Sequence, residues 1–301
     1  MRQIITWRIM DAFNVILIAG MHRSGTSMLT RLLAEFGGVL PTKLIPPREN
    51  DNRLGFWEPV AAVGINKEIM KMIGSHWIDC RRPRTERIGG EPLLNLQNQI
   101  VQFLKNEYPS GDAPRLVKDP RLSRTFPIWR SALAQAGANV SVVISVRSPQ
   151  ACAQSLVSRN KIIDAYAVMS WLRSYLEIEF STRGQKRLFV NYDSFFDDNR
   201  PAQIKRILQF MGLPADEEIT IPETLVSAED RHHTATNDAP LQKDVTFVYT
   251  TLAALSRAEP QANYTTEFDV IRGRLNAAEY YFGEILSDSL AFAPLGNQRF
   301  F

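Results

Sequence analysis

Short apolar runs alternate with longer amphipathic stretches along this chain. The clearest runs are residues 15–19 (VILIA), 140–146 (VSVVISV) and 188–190 (LFV). Their apolar character is nearly continuous, which is typical of strands that are covered on both faces. From residue 28 to residue 36 the apolar positions instead follow a helical stripe that stops at a pair of glycines. The pattern predicts an α/β fold of three layers, with a mostly parallel central sheet and helices on both faces.

Helical periodicity recurs through the rest of the chain. It predicts helices over residues 60–73, 92–107, 124–136, 164–180, 202–211 and 262–286. Another helix is expected to begin at Pro149, with Ser148 as its cap, because proline suits the first helical position and serine the cap. Residues 41–58 and 214–245 lack periodicity and are predicted to be irregular. No repeat or linker marks a boundary, so we expect a single domain over residues 1–301.

Composition narrows the classes of protein. With 301 residues, 45% of them hydrophobic and 22% charged, the chain has the composition of a globular protein. The net charge of +3 is too small to indicate a nucleic-acid partner. Two cysteines, Cys80 and Cys152, fit a reducing compartment or at most one incidental disulfide. No apolar run reaches the 18 or so residues of a membrane span. We therefore expect a cytoplasmic protein.

Residues 20–27, GMHRSGTS, follow a predicted strand and open a predicted helix. Two glycines five positions apart in that context predict a phosphate-binding loop, since backbone N–H groups and the helix N-terminus then face an anion. A plain strand-to-helix turn is the alternative. A nucleoside-triphosphatase loop has lysine where this chain has Thr26, and magnesium on the next hydroxyl. Here the cation is Arg23, inside the loop, which suits a phosphate that needs neither magnesium nor hydrolysis.

Three segments resemble sulfotransferases that use 3′-phosphoadenosine 5′-phosphosulfate. Residues 16–33, ILIAGMHRSGTSMLTRLL, resemble their 5′-phosphosulfate-binding loop. Residues 142–160, VVISVRSPQACAQSLVSRN, resemble their 3′-phosphate motif, an arginine at a strand end followed by a serine eight residues later. Residues 116–129, LVKDPRLSRTFPIW, resemble the KDP segment of bacterial and tyrosylprotein sulfotransferases. A looser similarity is found in residues 191–198 and 231–233.

The resemblance implies a phosphate-loop-like fold with a nucleotide-binding core over residues 14–195 and a mainly helical part over 196–301. It implies a bacterial enzyme that uses the phosphosulfate donor without a metal and releases adenosine 3′,5′-bisphosphate. The donor would be bound by His22, Arg23, Ser24, Gly25, Thr26, Ser27, Arg147 and Ser155. In the family the matching arginine and serine bind the 3′-phosphate, so the resemblance implies this role for Arg147 and Ser155. Their chemistry agrees, because a guanidinium can contact a dianion at two points and a hydroxyl adds a donor.

Sulfuryl transfer requires a base for the acceptor proton and positive charge at the leaving oxygen. Arg23 and Lys118 are the candidates for the leaving side, and the resemblance gives Lys118 a place facing the sulfate. The alternative is that Lys118 has no catalytic role and forms an ordinary ion pair with Asp119. For the base the sequence favours Glu58, in GFWEP, where burial among aromatic residues is expected to raise its pKa. Glutamate before a helix is also favoured by the helix dipole. The reserve candidates for the base are Glu49 and Asp51.

The acceptor is expected to be a hydroxyl of a carbohydrate, glycolipid or other small metabolite. Trp57 and Trp77 are candidates for stacking on sugar rings or for the core. For His232 and His233 a structural or nucleotide-lining role is favoured over zinc.

Two other functions stay open at this point. One is a phosphate-loop kinase for a nucleotide or sugar, with Asp119 or Asp193 holding magnesium. The other is a polyanion-binding module that uses the arginines of residues 81–87, although their mixture with acidic residues favours a solvated loop.

Overall fold

The computed structural model describes residues 13–48, 54–215 and 241–292, and side chains as far as residue 281. Four strands form one parallel sheet in the order β2-β1-β3-β4. They are β1 (Asn14–Gly20), β2 (Arg115–Lys118), β3 (Asn139–Val146) and β4 (Lys186–Asn191). The central strand β1 continues directly into the predicted phosphate loop. The predicted parallel sheet is therefore confirmed.

Helices connect the strands and extend the chain beyond them. They are α1 (Thr26–Glu35), α2 (Val60–Met72), α3 (Gly90–Asn106), α4 (Leu122–Gln135), α5 (Pro149–Asn160), α6 (Asp164–Ser181), α7 (Arg200–Met211), α8 (Lys243–Ser256) and α9 (Tyr264–Phe292). Helix α5 begins at Pro149, and the Ser148 hydroxyl accepts a hydrogen bond from the N–H of Ala151 at 3.4 Å, as the cap prediction requires.

Two predictions about helices are corrected by the structure. Helix α8 was not predicted, and it begins inside the stretch that was predicted to be irregular, residues 214–245. Its first turns contain valine and threonine, which are poor helix formers, and burial of Val245 and Val248 against the core offsets that preference. Helix α9 continues to Phe292, six residues beyond the predicted end.

Alternate residues of β1 enter two separate cores. Val15 and Leu17 face a core formed with α2 to α6, α8 and α9, whereas Ile16 and Ile18 face one formed with α1 and α7. Each face of the central strand is thus covered by helices, which explains why its apolar run does not alternate with polar residues. The predicted three-layer arrangement is confirmed.

The carboxyl ends of the strands form the edge at which the candidate site lies. Gly20 ends β1 and opens the loop, Lys118 is the last residue of β2, and Arg147 follows β3 directly. Because parallel strands end at the same edge, residues more than a hundred positions apart meet there, as is usual for sites in open α/β sheets.

Within the residues that the structure describes, no helix has both the length and the apolar character needed to cross a membrane.

Candidate active site

The loop of residues 20–27 has a tightly turned backbone. Arg23 and Gly25 have φ angles of +70° and +91°, in the left-handed region. A Cβ atom on Gly25 would collide with the ring of Tyr192, so only glycine fits between that ring and the start of α1. The Ser24 hydroxyl donates to the carbonyl of Met21 at 2.6 Å, which closes the turn. A tight turn of this kind at a helix N-terminus has a geometry that suits an anion.

The predicted 3′-phosphate motif contacts this loop. Nε of Arg23 donates to the Ser155 hydroxyl at 2.8 Å, and Nη1 of Arg147 donates to the carbonyl of Arg23 at 2.9 Å. The Arg147 guanidinium also lies over the Tyr192 ring, 4.5 Å from its centroid, and the backbone carbonyl of Arg147 accepts from Trp171. The two segments that the sequence connected only through a resemblance are thus joined by direct hydrogen bonds.

Lys118 joins the loop to the segment that contains Glu58. Its Nζ lies 2.8 Å from Oε1 of Glu58, 2.8 Å from the carbonyl of Phe56 and 3.3 Å from the hydroxyl of Ser27. The Ser27 hydroxyl donates in turn to the carbonyl of Phe56 at 3.0 Å. The alternative in which Lys118 pairs with Asp119 is wrong, because Lys118 pairs with Glu58, and the two oxygens of Asp119 accept from Arg121 and Asn66.

The prediction of a raised pKa for Glu58 is wrong. Burial does act to raise the pKa of this carboxyl, but the neighbouring cations Lys118 and Arg121 lower it by more, so that it lies below its ordinary value. Arg121 approaches the second oxygen, with Nη1 at 3.4 Å from Oε2. The sequence interpretation missed Arg121 altogether. Its only signal was a further cation three positions after Lys118, in KDPR.

Asp119 lies in a closed hydrogen-bond network. Its Oδ1 accepts from the N–H and the guanidinium of Arg121, both at 2.9 Å, and its Oδ2 accepts from Asn66 at 2.8 Å. Burial raises the pKa of this fully buried carboxyl. Both of its oxygens are already used by protein donors, which does not favour the magnesium role that a kinase would give Asp119.

His22 packs against Trp77 at the loop, with ring centroids 4.4 Å apart. Burial, and secondarily the charges of Arg121 and Lys118, hold the pKa of His22 well below its ordinary value. The imidazole is therefore neutral at pH 7. Trp77 also packs against the larger core, so its two candidate roles are not exclusive. Trp57 takes a φ of +60° and donates to the carbonyl of Leu54 at 2.7 Å.

The basic segment at residues 81–87 is largely neutralised. Arg81 pairs with Asp79 at 2.7 Å, Arg82 with Glu86 at 2.8 Å, and Arg84 with Glu279 of α9 at 3.0 Å. These pairs do not favour a polyanion-binding surface. The candidates Glu49, Asp51, Arg231, His232 and His233 lie outside the described residues.

No protein-family model matches the chain, and no curated protein matches it. Sulfotransferase structures are similar to it. A sulfotransferase domain from the olefin synthase of Synechococcus PCC 7002 is 19% identical, over 82% of this chain and 98% of that one, with a TM-score of 0.43. The sulfotransferase domain of the curacin biosynthetic pathway is 15% identical, over 81% and 99%, with a TM-score of 0.45. A sulfotransferase from Alicyclobacillus acidocaldarius is 14% identical, over 84% and 98%, with a TM-score of 0.41.

Proposed function

We propose that this chain is a sulfotransferase domain that transfers a sulfuryl group from 3′-phosphoadenosine 5′-phosphosulfate to a hydroxyl of a carbohydrate, glycolipid or small metabolite. The observation that supports this most is that the three segments with the resemblance contact one another: the loop of residues 20–27 is hydrogen-bonded to each of the other two. Arg147 and Ser155 contact Arg23 inside the loop, and Lys118 contacts Ser27 at its end.

The chemistry of these residues fits the donor, which has phosphate at two positions and sulfate at its tip. The N–H groups of the loop and the start of α1 suit the 5′-phosphate, and glycine at position 25 lets the Tyr192 ring pack against this turn. Arg147 and Ser155 suit the 3′-phosphate, and Arg23 and Lys118 suit the sulfate end. Arginine binds such oxyanions through its planar fork, whereas lysine acts as a point charge.

The donor supplies an activated sulfuryl group. In the transfer, the acceptor oxygen forms a bond to sulfur while the bond from sulfur to the 5′-phosphate oxygen breaks. Glu58 takes the proton of the acceptor hydroxyl, and the electron pair stays on the phosphate oxygen, where Lys118 and Arg23 neutralise it. Nζ of Lys118 and Oε1 of Glu58 lie 2.8 Å apart. The base and the cation that neutralises the leaving oxygen can therefore both contact the same bound donor and acceptor.

Binding of nucleotides separates this function from that of a phosphate-loop kinase. We expect adenosine 3′,5′-bisphosphate to bind with equal affinity in the presence of magnesium or of a chelator, and to raise the melting temperature. Magnesium ATP at the same concentration is the matched comparison, and we expect no comparable rise. A response to magnesium ATP together with none to the bisphosphate would overturn the proposal.

A further inference from the structure

Arg121 is the second cation on Glu58. Its Nη1 lies 3.4 Å from Oε2 of Glu58, while Lys118 contacts the other oxygen, Oε1. Both cations are buried, with side chains 7% and 2% exposed. Each oxygen of this carboxylate thus has a cation of its own.

The position of Arg121 is determined by groups that do not include Lys118. Its backbone N–H and its Nη1 both donate to Oδ1 of Asp119, and Oδ2 of Asp119 accepts from Asn66. The amide oxygen of Asn66 accepts in turn from Thr125 and Trp129, each at 2.7 Å. Asn66, Asp119, Thr125 and Trp129 have no exposed surface. Buried hydrogen-bonded networks of this kind hold a side chain in one orientation.

Lys118 has a different set of partners. Apart from Glu58, its Nζ contacts only neutral oxygens, the carbonyl of Phe56 and the hydroxyl of Ser27, among the hydrogen bonds that the structure describes. A lysine that turns toward the leaving oxygen of a donor shares its charge and its N–H groups between that oxygen and Glu58, which weakens its hold on the carboxylate. The base then needs a second group to hold it, and this requirement rests on the proposed function.

We propose that Arg121 is a positioning residue that holds the Glu58 carboxylate in the site while Lys118 engages the donor. In that state the guanidinium of Arg121 is hydrogen-bonded to two carboxylates, those of Glu58 and Asp119. Glu58 then binds a proton more readily than it does beside two cations, so it becomes an effective base when the donor is in place. The charged groups that act on Glu58 are Lys118, Arg121 and Asp119, and the neutral His22 lies near the same two cations.

Direct titration of Glu58 tests this assignment. Side-chain carboxyl carbons of glutamate are followed by NMR in protein labelled with carbon-13, and the signal is assigned with Glu58→Gln. We expect Arg121→Gln to raise the pKa of Glu58 by about 1 to 3 units, without ligand and with saturating adenosine 3′,5′-bisphosphate as the probe. Arg130→Gln removes an exposed arginine from α4, the helix that Arg121 directly precedes, and is expected to leave this titration unchanged. In the unmodified protein the bisphosphate itself is expected to raise the pKa of Glu58.

Arg121→Lys keeps the assignment testable if Arg121→Gln does not fold. It retains the charge but cannot contact two carboxylates with a planar fork, so we expect a smaller rise in the pKa of Glu58. A Glu58 titration equal to that of the unmodified protein in the folded variants would overturn the role of Arg121. Failure of the bisphosphate to bind would instead contradict the proposed function, while the ligand-free titration still decides the role of Arg121.

Discussion

Nζ of Lys118 lies 2.8 Å from Oε1 of Glu58, although the two residues are 60 positions apart in the chain. The pair is nearly inaccessible to solvent, with side chains 2% and 11% exposed. A buried ion pair is costly to form from hydrated groups, and its energetic return is often close to zero. Its presence at the edge of the sheet is therefore better explained by chemistry than by stability.

Removal of the charge on Glu58 tests its role as the base. We expect Glu58→Gln to lower turnover by roughly 100-fold or more, because a positioned base contributes about 10² to 10⁴ in rate. Turnover is measured as transfer from radiolabelled donor to a pool of cell metabolites. Binding of adenosine 3′,5′-bisphosphate is expected to stay nearly intact. Glu91→Gln, at an exposed position in the first turn of α3, is the matched control. Near-normal turnover in Glu58→Gln would move the role to Glu49 or Asp51.

The assignment of the 3′-phosphate to Arg147 predicts a change in selectivity. We expect Arg147→Ala to lose about 10- to 100-fold of the preference for adenosine 3′,5′-bisphosphate over adenosine 5′-monophosphate, since a hydrogen bond to a charged group contributes about 1.5 to 3 kcal/mol. Calorimetric dissociation constants for both nucleotides give the ratio. Arg130→Ala, at an exposed position of α4, should keep the ratio of the unmodified protein. An unchanged ratio in Arg147→Ala would refute the assignment.

Two glycines with nearly the same φ angle, Gly25 in the loop and Gly37 after helix α1, separate the cost of backbone strain from that of steric clash. Gly25 has φ +91°, and a Cβ atom there would collide with the Tyr192 ring, whereas Gly37 has φ +89° and open space within 4 Å of the same position. Gly37→Ala is expected to cost about 1 to 2 kcal/mol from the left-handed backbone. Gly25→Ala should cost about 1 to 3 kcal/mol more and should abolish bisphosphate binding. Denaturant unfolding of both variants measures the difference, and equal losses would show that Tyr192 does not limit the loop.

The lowered pKa of His22 predicts how stability depends on pH. The folded protein keeps this imidazole neutral, whereas the unfolded chain protonates it below about pH 6.5. The unfolded state thus binds more protons, and the free energy of unfolding falls as the pH is lowered from about 7.5 to about 5.5. We expect His22→Asn to reduce this slope by up to about 1.4 kcal/mol per pH unit.

Denaturant unfolding at several pH values gives that slope. His76, whose pKa is also lowered chiefly by burial, should maintain a residual slope in the variant. Equal slopes in the two proteins would show that His22 is not held neutral.

The sequence predicted the sheet, its helical cover and the place of the loop, because these follow from local patterns of apolar residues and glycines. It did not predict helix α8, where valine and threonine obscure a helix that tertiary burial stabilises. The sequence could place Lys118 and Arg147 at strand ends, because each comes directly after a run of apolar residues. Lys118 is the last residue of β2, and Arg147 directly follows β3. The sequence could not predict the hydrogen bond from Arg23 to Ser155, because it joins residues that lie 132 positions apart in the chain.

The sequence alone predicted three chemical groups for the edge of the sheet: a glycine loop that contains Arg23, a lysine after a short apolar run and an arginine that follows a strand. Their electrostatics depend on the folded structure. Glu58 lies between Lys118 and Arg121, so its pKa is lowered where its apolar neighbours in the chain predicted that it would be raised. The pKa of a buried carboxyl depends on the charges within a few ångströms, and these come from a segment that only folding brings near.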